Sequence, residues 1–338
     1  MSGTVDPWYV SPDEFPDGGS VEEQAAFLLN FAILAPSSHN SQPWTFAIDG
    51  DQIDVFADRD RWLTVADPDR RELHLSVGCA LENLLVAAAH YGFDPRVSYR
   101  PEADGDDPVA RVTLRRGGTG DGLSEPRPTD WADLFDAITE RTTNHGVYAD
   151  EPLPEAFSDR LADCVADEPV DLTLVTGESI KRAIARLQTR ADEAQMADPE
   201  YRRELGYWIG TGALGANWLM ARVGQLAVTY LDLGRREGAK NSKLIESAAA
   251  IAVLTTASPD VESRVRAGQA FERMALVAAS EGVAVHPASQ TLERPEFRRE
   301  LVEILDLGEA VPQHLFRLGF AEQTADHTPR RSVADVRR

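Results

Sequence analysis

Four short segments carry side chains suited to holding a ligand. Arg141-Thr142-Thr143-Asn144-His145 offers a guanidinium, two hydroxyls, an amide and an imidazole within five residues, a set able to grip a phosphate through charge-assisted hydrogen bonds. Taken alone, it also reads as a helix C-terminus with a favourable cation and a polar turn. Pro36-Ser37-Ser38-His39-Asn40-Ser41-Gln42-Pro43 concentrates hydroxyl and amide groups beside Trp44. That combination suits a planar polar heterocycle or polyol resting on an aromatic wall, or simply an elaborate turn. Pro287-Ala288-Ser289-Gln290 follows a short strand-like run, where backbone N–H groups can face a ligand. Arg330 and Arg331 come after Thr328-Pro329, and by themselves they read as a solvated basic tail.

A fifth candidate fails on context. Gly210-Thr211-Gly212-Ala213-Leu214-Gly215 matches the dinucleotide G-x-G-x-x-G, with Asp232 downstream. That motif works on a turn leaving a parallel strand, whereas residues 199–208 are charged and helix-like and no β-α-β unit frames them. Helix packing or a mobile lid is the better use of those glycines. The sequence contains no H-E-x-x-H, G-x-S-x-G, P-loop or EF-hand pattern, which leaves metalloprotease, α/β-hydrolase, P-loop NTPase and EF-hand readings unsupported. Cys79 and Cys164 are far apart and outside any ligand cluster, so neither a disulfide framework nor a metal site is expected, and both read as small core residues.

These segments need elements to hold them. Ser20 with Glu23 forms a capping box, and Val21, Ala25, Leu28, Leu29, Ala32 and Ile33 then share one face at helical spacing until Pro36 stops the run. The spacing predicts a helix that feeds the 36–44 loop. Residues 45–48 and 52–56 flank Asp49-Gly50, a strong hairpin signal. A second helix carries Val77, Ala80, Leu81, Leu84, Leu85 and Ala88 on its buried stripe and ends near Gly92, followed by β-like runs at 96–99 and 109–114. Residues 117–128, rich in Gly, Pro and polar groups, read as a linker. Beyond it come helices over 131–140 and 154–165, a strand over 171–176, and a helix with Ile180, Ile184, Leu187 and Ala191 in register. An apolar strand at 248–255, a long helix over 262–281 closed by Gly282, and β-like runs at 283–286 and 315–320 complete the chain. Both halves alternate helices and strands, which predicts an α+β fold with weak internal repetition.

The 338 residues hold 34 Lys and Arg against 56 Asp and Glu, a formal charge of −22. That much negative charge repels nucleic-acid phosphates and anionic lipid surfaces, so neither partner is expected. Lys occurs only at Lys181, Lys240 and Lys243, and nearly all cations are Arg. An acidic, Lys-poor surface fits adaptation to high salt, a halophilic trait. The N-terminal stretch carries no signal-like pattern, and the apolar runs are shorter than the ~18 residues of a membrane span, so a cytoplasmic location is expected.

Taken together, these segments resemble the FMN-dependent nitroreductase family, and within it the Acg-type branch whose chains contain two nitroreductase-like halves. Ala35-Pro36-Ser37-Ser38-His39-Asn40-Ser41-Gln42-Pro43-Trp44 is similar to the family's A-P-S-x-x-N-x-Q-P-W loop, where Ser and Asn groups of one half approach a flavin held by the other. Arg141, Thr143 and His145 fall on its R-x-S/T-x-R/K element, in which the Arg and hydroxyl grip the FMN phosphate region. Pro287, Ala288, Ser289 and Gln290 lie where relatives present a backbone N–H to flavin N5, and Arg330 and Arg331 are similar to the basic pair that completes the phosphate clamp.

The resemblance implies an FMN flavoprotein in which Pro36, Ser37, Ser38, Asn40, Gln42, Arg141, Thr143, His145, Pro287, Ala288, Ser289, Gln290, Arg330 and Arg331 hold the cofactor. No protein side chain acts as nucleophile or general base, since flavin N5 performs the chemistry. It implies a nitroreductase-like fold of two tandem halves, each an antiparallel-type sheet covered by helices, over residues 20–118 and 131–338. A linker at 119–130 joins them, and a lid-like insertion spans about 199–243. The first half has the loop but lacks the phosphate-gripping element, and the second has the reverse. One flavin per chain and a monomer acting as a pseudo-dimer follow, with further homo-oligomerisation left open. His145 stands where relatives carry Arg or Lys, which weakens the positive charge expected near flavin N1. The implied activity is hydride transfer from NAD(P)H to a nitroaromatic, quinone or similar acceptor; the alternative is a non-catalytic flavin-sequestering protein closed by the lid.

Overall fold

A computed structural model describes residues 6–100, 106–116, 134–215, 218–230, 242–323 and 325–338. The predicted linker at 119–130, Asp232 and Lys240 lie outside the described residues.

The first half begins as its sequence dictates. The Ser20 hydroxyl and Glu23 carboxylate cap each other's backbone at the start of α1 (Val21–Ala32). The chain then turns through the 36–43 loop into β1 (Trp44–Asp49), which pairs antiparallel with β2 (Gln52–Ala57) around Gly50, held at φ +61°. α2 (Arg71–His90) precedes β3 (Phe93–Tyr99) and β4 (Ala110–Arg116), giving a four-stranded antiparallel sheet of order β1-β2-β4-β3. The second half has α3 (Phe135–Glu140), α4 (Glu155–Asp163) and β5 (Asp171–Val175). Next come α5 (Glu178–Ala197), α6 (Pro199–Gly210) and α7 (Trp218–Tyr230). β6 (Ala250–Thr256), α8 (Val261–Ser280) and β7 (Ala284–Pro287) follow, then α9 (Gln290–Glu293), α10 (Pro295–Leu305), β8 (Val311–Gly319) and α11 (Val333–Val336). Its sheet, β5-β6-β8-β7, is also antiparallel and repeats the order of the first. In both sheets a 20-residue helix lies between the second and third strands. The α+β expectation of two similar halves, each an antiparallel sheet with helical cover, is borne out.

What differs is the connection between a half's first two strands. β1 and β2 are joined by a tight turn, whereas α5, α6 and α7 are inserted between β5 and β6. The G-x-G-x-x-G segment straddles the end of α6 and the turn after it. A Cβ on Gly206 would sit 2.3 Å from Thr229 Oγ1, and one on Gly210 would sit 2.4 Å from Gln225 Oε1, so these glycines let α7 pack against α6. Among the described residues the segment follows α5 and α6 and no parallel strand leads into it, so it lacks the β-α-β frame of a dinucleotide turn.

The halves are joined through α2 and α8, which cross with backbones in contact. A Cβ on Gly78 would lie 2.1 Å from the Val265 carbonyl oxygen, and one on Gly268 would lie 2.0 Å from that of Leu75. α2 is buried nearly all round rather than along one stripe, which makes it a core helix with polar members Glu72, His74, Glu82 and Asn83 inside. The C-terminal residues cross back to the first sheet: Arg337 bridges Phe46 in parallel, and the Arg338 N–H donates to the Phe46 carbonyl at 2.8 Å.

Candidate functional site

The four segments singled out by residue type converge on one cavity of about 700 Å³ between the two halves. Pro36, Ser37, Ser38, Asn40, Arg141, Thr143, His145, Pro287, Ser289, Gln290 and Arg330 all line it. A volume of that size lies within the ~300–1,000 Å³ common for ligand and cofactor sites.

The 36–43 loop is held open by its own backbone. His39, Asn40 and Gln42 adopt left-handed φ values of +51°, +50° and +51°, a conformation costing roughly 1–3 kcal/mol per strained residue unless the surroundings impose it. They do impose it. The Ser37 hydroxyl accepts from the Gln42 N–H at 2.9 Å, and Asn40 Nδ2 donates to the carbonyls of Ala213 at 2.7 Å and Pro329 at 2.9 Å. Asn40 thus ties together the loop, the turn after α6 and the C-terminal segment.

Two guanidiniums meet at one end of the cavity. Arg141, at the end of α3, and Arg330 both donate to the Leu34 carbonyl, at 3.4 and 3.0 Å, just beyond the C-terminus of α1. Arg330 also binds Asn40 Oδ1 at 3.1 Å and Thr328 Oγ1 at 2.6 Å, while its Nε is buried without a partner among the described residues. Burial together with the neighbouring Arg141 pulls the Arg330 guanidinium down to about 9. The nearby counter-charge is Glu272 of α8, 3.3 Å from Arg141 Nε and fully buried. Burial lifts its carboxyl to about 7 although both arginines oppose the shift. A buried and a half-buried guanidinium beside one half-ionised carboxylate make a place for an anion. Trp8 closes this end, with the Arg330 guanidinium 4.7 Å from its ring centroid and His327 at 3.9 Å.

Another part of the wall is acidic. The Ser38 hydroxyl donates to Glu72 Oε2 at 2.5 Å, and Arg71 Nη1 lies 2.6 Å from Glu72 Oε1. Burial opposes ionisation of Glu72, but the Arg71 guanidinium and the hydrogen bonds from Ser38 and Arg71 outweigh it and hold the carboxyl below its ordinary value. The Ser289 hydroxyl meets His314 Nδ1 at 2.9 Å, and burial pushes that imidazole down to about 4, leaving it neutral. Gln195, Met196, Tyr201 and Glu293 complete the wall under α6.

Gln42, Ala288 and Arg331, proposed from sequence as cofactor contacts, do not line this cavity. Gln42 Oε1 accepts from the Arg331 N–H at 2.7 Å and so fastens the C-terminal segment. The Ala288 N–H is taken by the Leu315 carbonyl at 2.8 Å. Arg331 turns to Asp58 at 3.1 Å and to the Gln42 and Trp44 carbonyls, because successive side chains of an extended segment point to opposite faces. Trp44, read as an aromatic wall, is wholly buried in the core; the indole at the cavity is Trp8. His145 does line the cavity, exposed and edge-on to His286 at 4.3 Å.

Sequence reasoning missed Glu72, Leu75, Ser76, Cys79 and Phe271, which the two crossing helices present to the cavity. It also missed Glu272 behind Arg141. A signal existed: Glu82 and Glu272 each fall four residues after the glycine of the helix crossing, Gly78 and Gly268. The two glutamates occupy matching places and meet different partners. Glu82 is locked to Arg273 at 2.7 Å, and Arg273 also donates to the Cys164 carbonyl at 2.7 Å, so the position matching the Arg141 end is filled by protein.

Comparison with known proteins settles the family. Over 334 residues the chain is 32% identical to Rv3131 of Mycobacterium tuberculosis, by name an NAD(P)H nitroreductase, covering 95% of this chain and 92% of that one. The chain belongs to the NAD(P)H nitroreductase family. A second nitroreductase-named relative from the same organism, acg, is 26% identical over 329 residues, covering 91% of this nitroreductase-family chain and 93% of its own. No family model matches. Among solved structures, the NADPH complex of the FMN-dependent nitroreductase NfnB from Mycobacterium smegmatis is 16% identical, covers 62% of this chain and 99% of that one, and superposes with a TM-score of 0.41, too distant to bear on the site.

Proposed function

We propose that this chain is an FMN-dependent NAD(P)H oxidoreductase that binds one flavin per chain in the cavity between its halves and passes a hydride to a nitroaromatic, quinone or similar acceptor. The observation that carries the reading is the convergence of Arg141 and Arg330 on the Leu34 carbonyl at the cavity, with Glu272 beside Arg141. A phosphate there would gain charge-assisted hydrogen bonds of about 1.5–3 kcal/mol from each guanidinium. The loop residues Ser37, Ser38 and Asn40 and the turn at Pro287, Ser289 and Gln290 line the same cavity and supply neutral donors and acceptors for a polar heterocycle. The names of the curated relatives support the class of reaction.

In this reading Arg141 and Arg330 hold the phosphate, with Thr143 beside Arg141. Gln42 and Arg331 act at one remove, by fixing the C-terminal segment that carries Arg330. The bound flavin supplies two-electron chemistry, accepting and donating hydride at N5. The protein positions both partners and keeps water from the reacting face. With Arg273 locked onto Glu82, no second flavin is accommodated at the matching place.

A second reading, flavin sequestration, is favoured by how the α5–α7 insertion closes the cavity. Glu204 of α6 accepts from the Val65 and Ala66 N–H groups at 3.1 and 2.8 Å, and Trp208, Tyr201 and Met196 pack with Leu63 and Ala66 of the first half. One experiment separates the readings: FMN-loaded protein is mixed anaerobically with NADH or NADPH while flavin absorbance is followed. Bleaching on mixing supports the oxidoreductase; a flavin that binds and resists both nucleotides supports sequestration.

A further inference from the structure

We infer that Glu293 is the acid that delivers a proton to the acceptor oxygen during reduction, a role that rests on the oxidoreductase reading above. Glu293 ends α9, the single-turn helix that begins just after Ser289, and it lines the cavity that Arg141 and Arg330 also line. Gln195 of α5 donates to one of its carboxyl oxygens, which fixes the group while the other oxygen has no hydrogen-bond partner among the described residues. An acid held by one oxygen and open at the other is arranged to donate.

The surroundings keep it protonated. Burial comes first and the ionised Glu72 of α2 second, pushing the Glu293 carboxyl up to about 8, with Asp67 adding to the shift and Arg71 and the Gln195 hydrogen bond opposing it. The remaining groups that face it are Asp192 of α5 and Tyr201 of α6, and burial together with the Glu293 and Asp192 carboxyls holds the Tyr201 phenol well above its ordinary value. His314 on the same wall is neutral and cannot serve as a cationic acid near pH 7. Glu72 is already ionised and engaged with Arg71 and Ser38. Of the two glutamates on this wall, Glu72 is ionised and Glu293 still carries a proton at neutral pH.

The chemistry needs one. A hydride from reduced flavin brings two electrons and one hydrogen to a quinone, which becomes a hydroquinone only when an oxygen also gains a proton. A nitro group likewise takes a hydride and a proton to give a nitroso group and water. The Glu293 O–H bond breaks, its electron pair stays on the carboxylate, the proton goes to the acceptor oxygen, and solvent restores the acid before the next turnover.

Glu293→Gln keeps an oxygen to accept from Gln195 and removes the transferable proton. With the FMN-loaded variant, reoxidation by a quinone or nitroaromatic is expected to slow by about 100-fold and to lack the decline above about pH 8 that is expected of the wild type. Reoxidation by ferricyanide, which takes an electron without a proton, is expected to stay within about threefold of wild type, a split that a merely structural role would not produce. In cofactor-free protein, the infrared band of a protonated carboxyl titrating near pH 8 is expected in wild type and absent from the variant. Equal slowing with ferricyanide and quinone, an unchanged pH profile, or a carboxyl band titrating near pH 8 that persists in the variant beside the Glu272 band near pH 7 would overturn the assignment. If neither nucleotide reduces the flavin in wild type, the oxidoreductase reading fails and the Glu293 role with it. Normal flavin reduction with unaltered quinone turnover in the variant removes the Glu293 role alone.

Discussion

Replacing Glu272 by Gln separates a phosphate-holding arginine pair from an ordinary buried ion pair. In the cofactor-free protein the Glu272 carboxyl titrates near 7, lifted by burial against the pull of Arg141 and Arg330. A phosphate arriving at those arginines turns ionised Glu272 into a like-charged neighbour, so binding proceeds with the carboxyl protonated. The sign follows: a group that takes up a proton on binding weakens affinity as pH rises. Each pH unit well above 7 costs about 1.4 kcal/mol, a factor of ten. Between pH 7, where half the carboxyls are protonated, and pH 8.5, the wild-type Kd for FMN is expected to weaken by about 15-fold. The phosphate changes little over that window, its second ionisation lying near 6. Quenching of flavin fluorescence on adding cofactor-free protein at pH 6.5, 7, 7.5 and 8.5 reads the constant directly. Glu272→Gln is expected to bind with a nearly flat pH profile and more tightly than wild type at pH 8.5. The same slope in the variant, or weaker binding at every pH, would refute the placement of the phosphate beside Glu272. Folding carries the same sign: a carboxyl near 7 when folded and 4.5 when unfolded contributes fully below pH 4.5 and loses that contribution as pH climbs to 7. The wild-type Tm should therefore fall between pH 5 and pH 8 more than that of the variant.

Other outcomes follow from single contacts. Arg330→Gln should lower FMN affinity by about 10- to 150-fold, the equivalent of losing 1.5–3 kcal/mol of charge-assisted hydrogen bonding, whereas Arg331→Gln should leave it within about threefold and expose the C-terminal residues to proteolysis. Gly268→Ala forces a methyl to within 2.0 Å of the Leu75 carbonyl oxygen, so urea unfolding should show a loss of about 3 kcal/mol or more; a change under 1 kcal/mol would mean the helices separate easily. Glu204→Ala removes the latch on Val65 and Ala66. If the α6–α7 hairpin limits access, flavin reduction by NAD(P)H should speed up at least threefold, and an unchanged rate would count against occlusion.

Local rules made much of the fold legible. The Ser20–Glu23 box, the Asp49-Gly50 turn and Gly282 after the long helix sit where capping and turn chemistry place them. The candidate site was legible as segments because Ser37, Asn40, Arg141 and Arg330 combine polarity with loop or helix-end positions. Orientation within a segment was not. Arg330 and Arg331 look alike in sequence, and a one-residue alternation sends one to the cavity and the other to Asp58. Glu72, Cys79 and Phe271 at the cavity, and Glu272 behind Arg141, were hidden because α2 and α8 are buried on nearly every side, so a stripe read as core says nothing about which remaining positions serve an internal cavity. Glu293 was missed because α9 is a single turn, too short to show a period.

The ratio of bound flavin to protein, taken from the visible spectrum of purified protein after saturation with FMN and gel filtration, tests the central claim most directly. The arrangement of Arg141 and Arg330 at one end of one cavity, with Arg273 filling the matching place, predicts one FMN per 338-residue chain, falling to none when both Arg141 and Arg330 are replaced by Gln. A colourless wild type, two flavins per chain, or a double variant that retains its colour would contradict it.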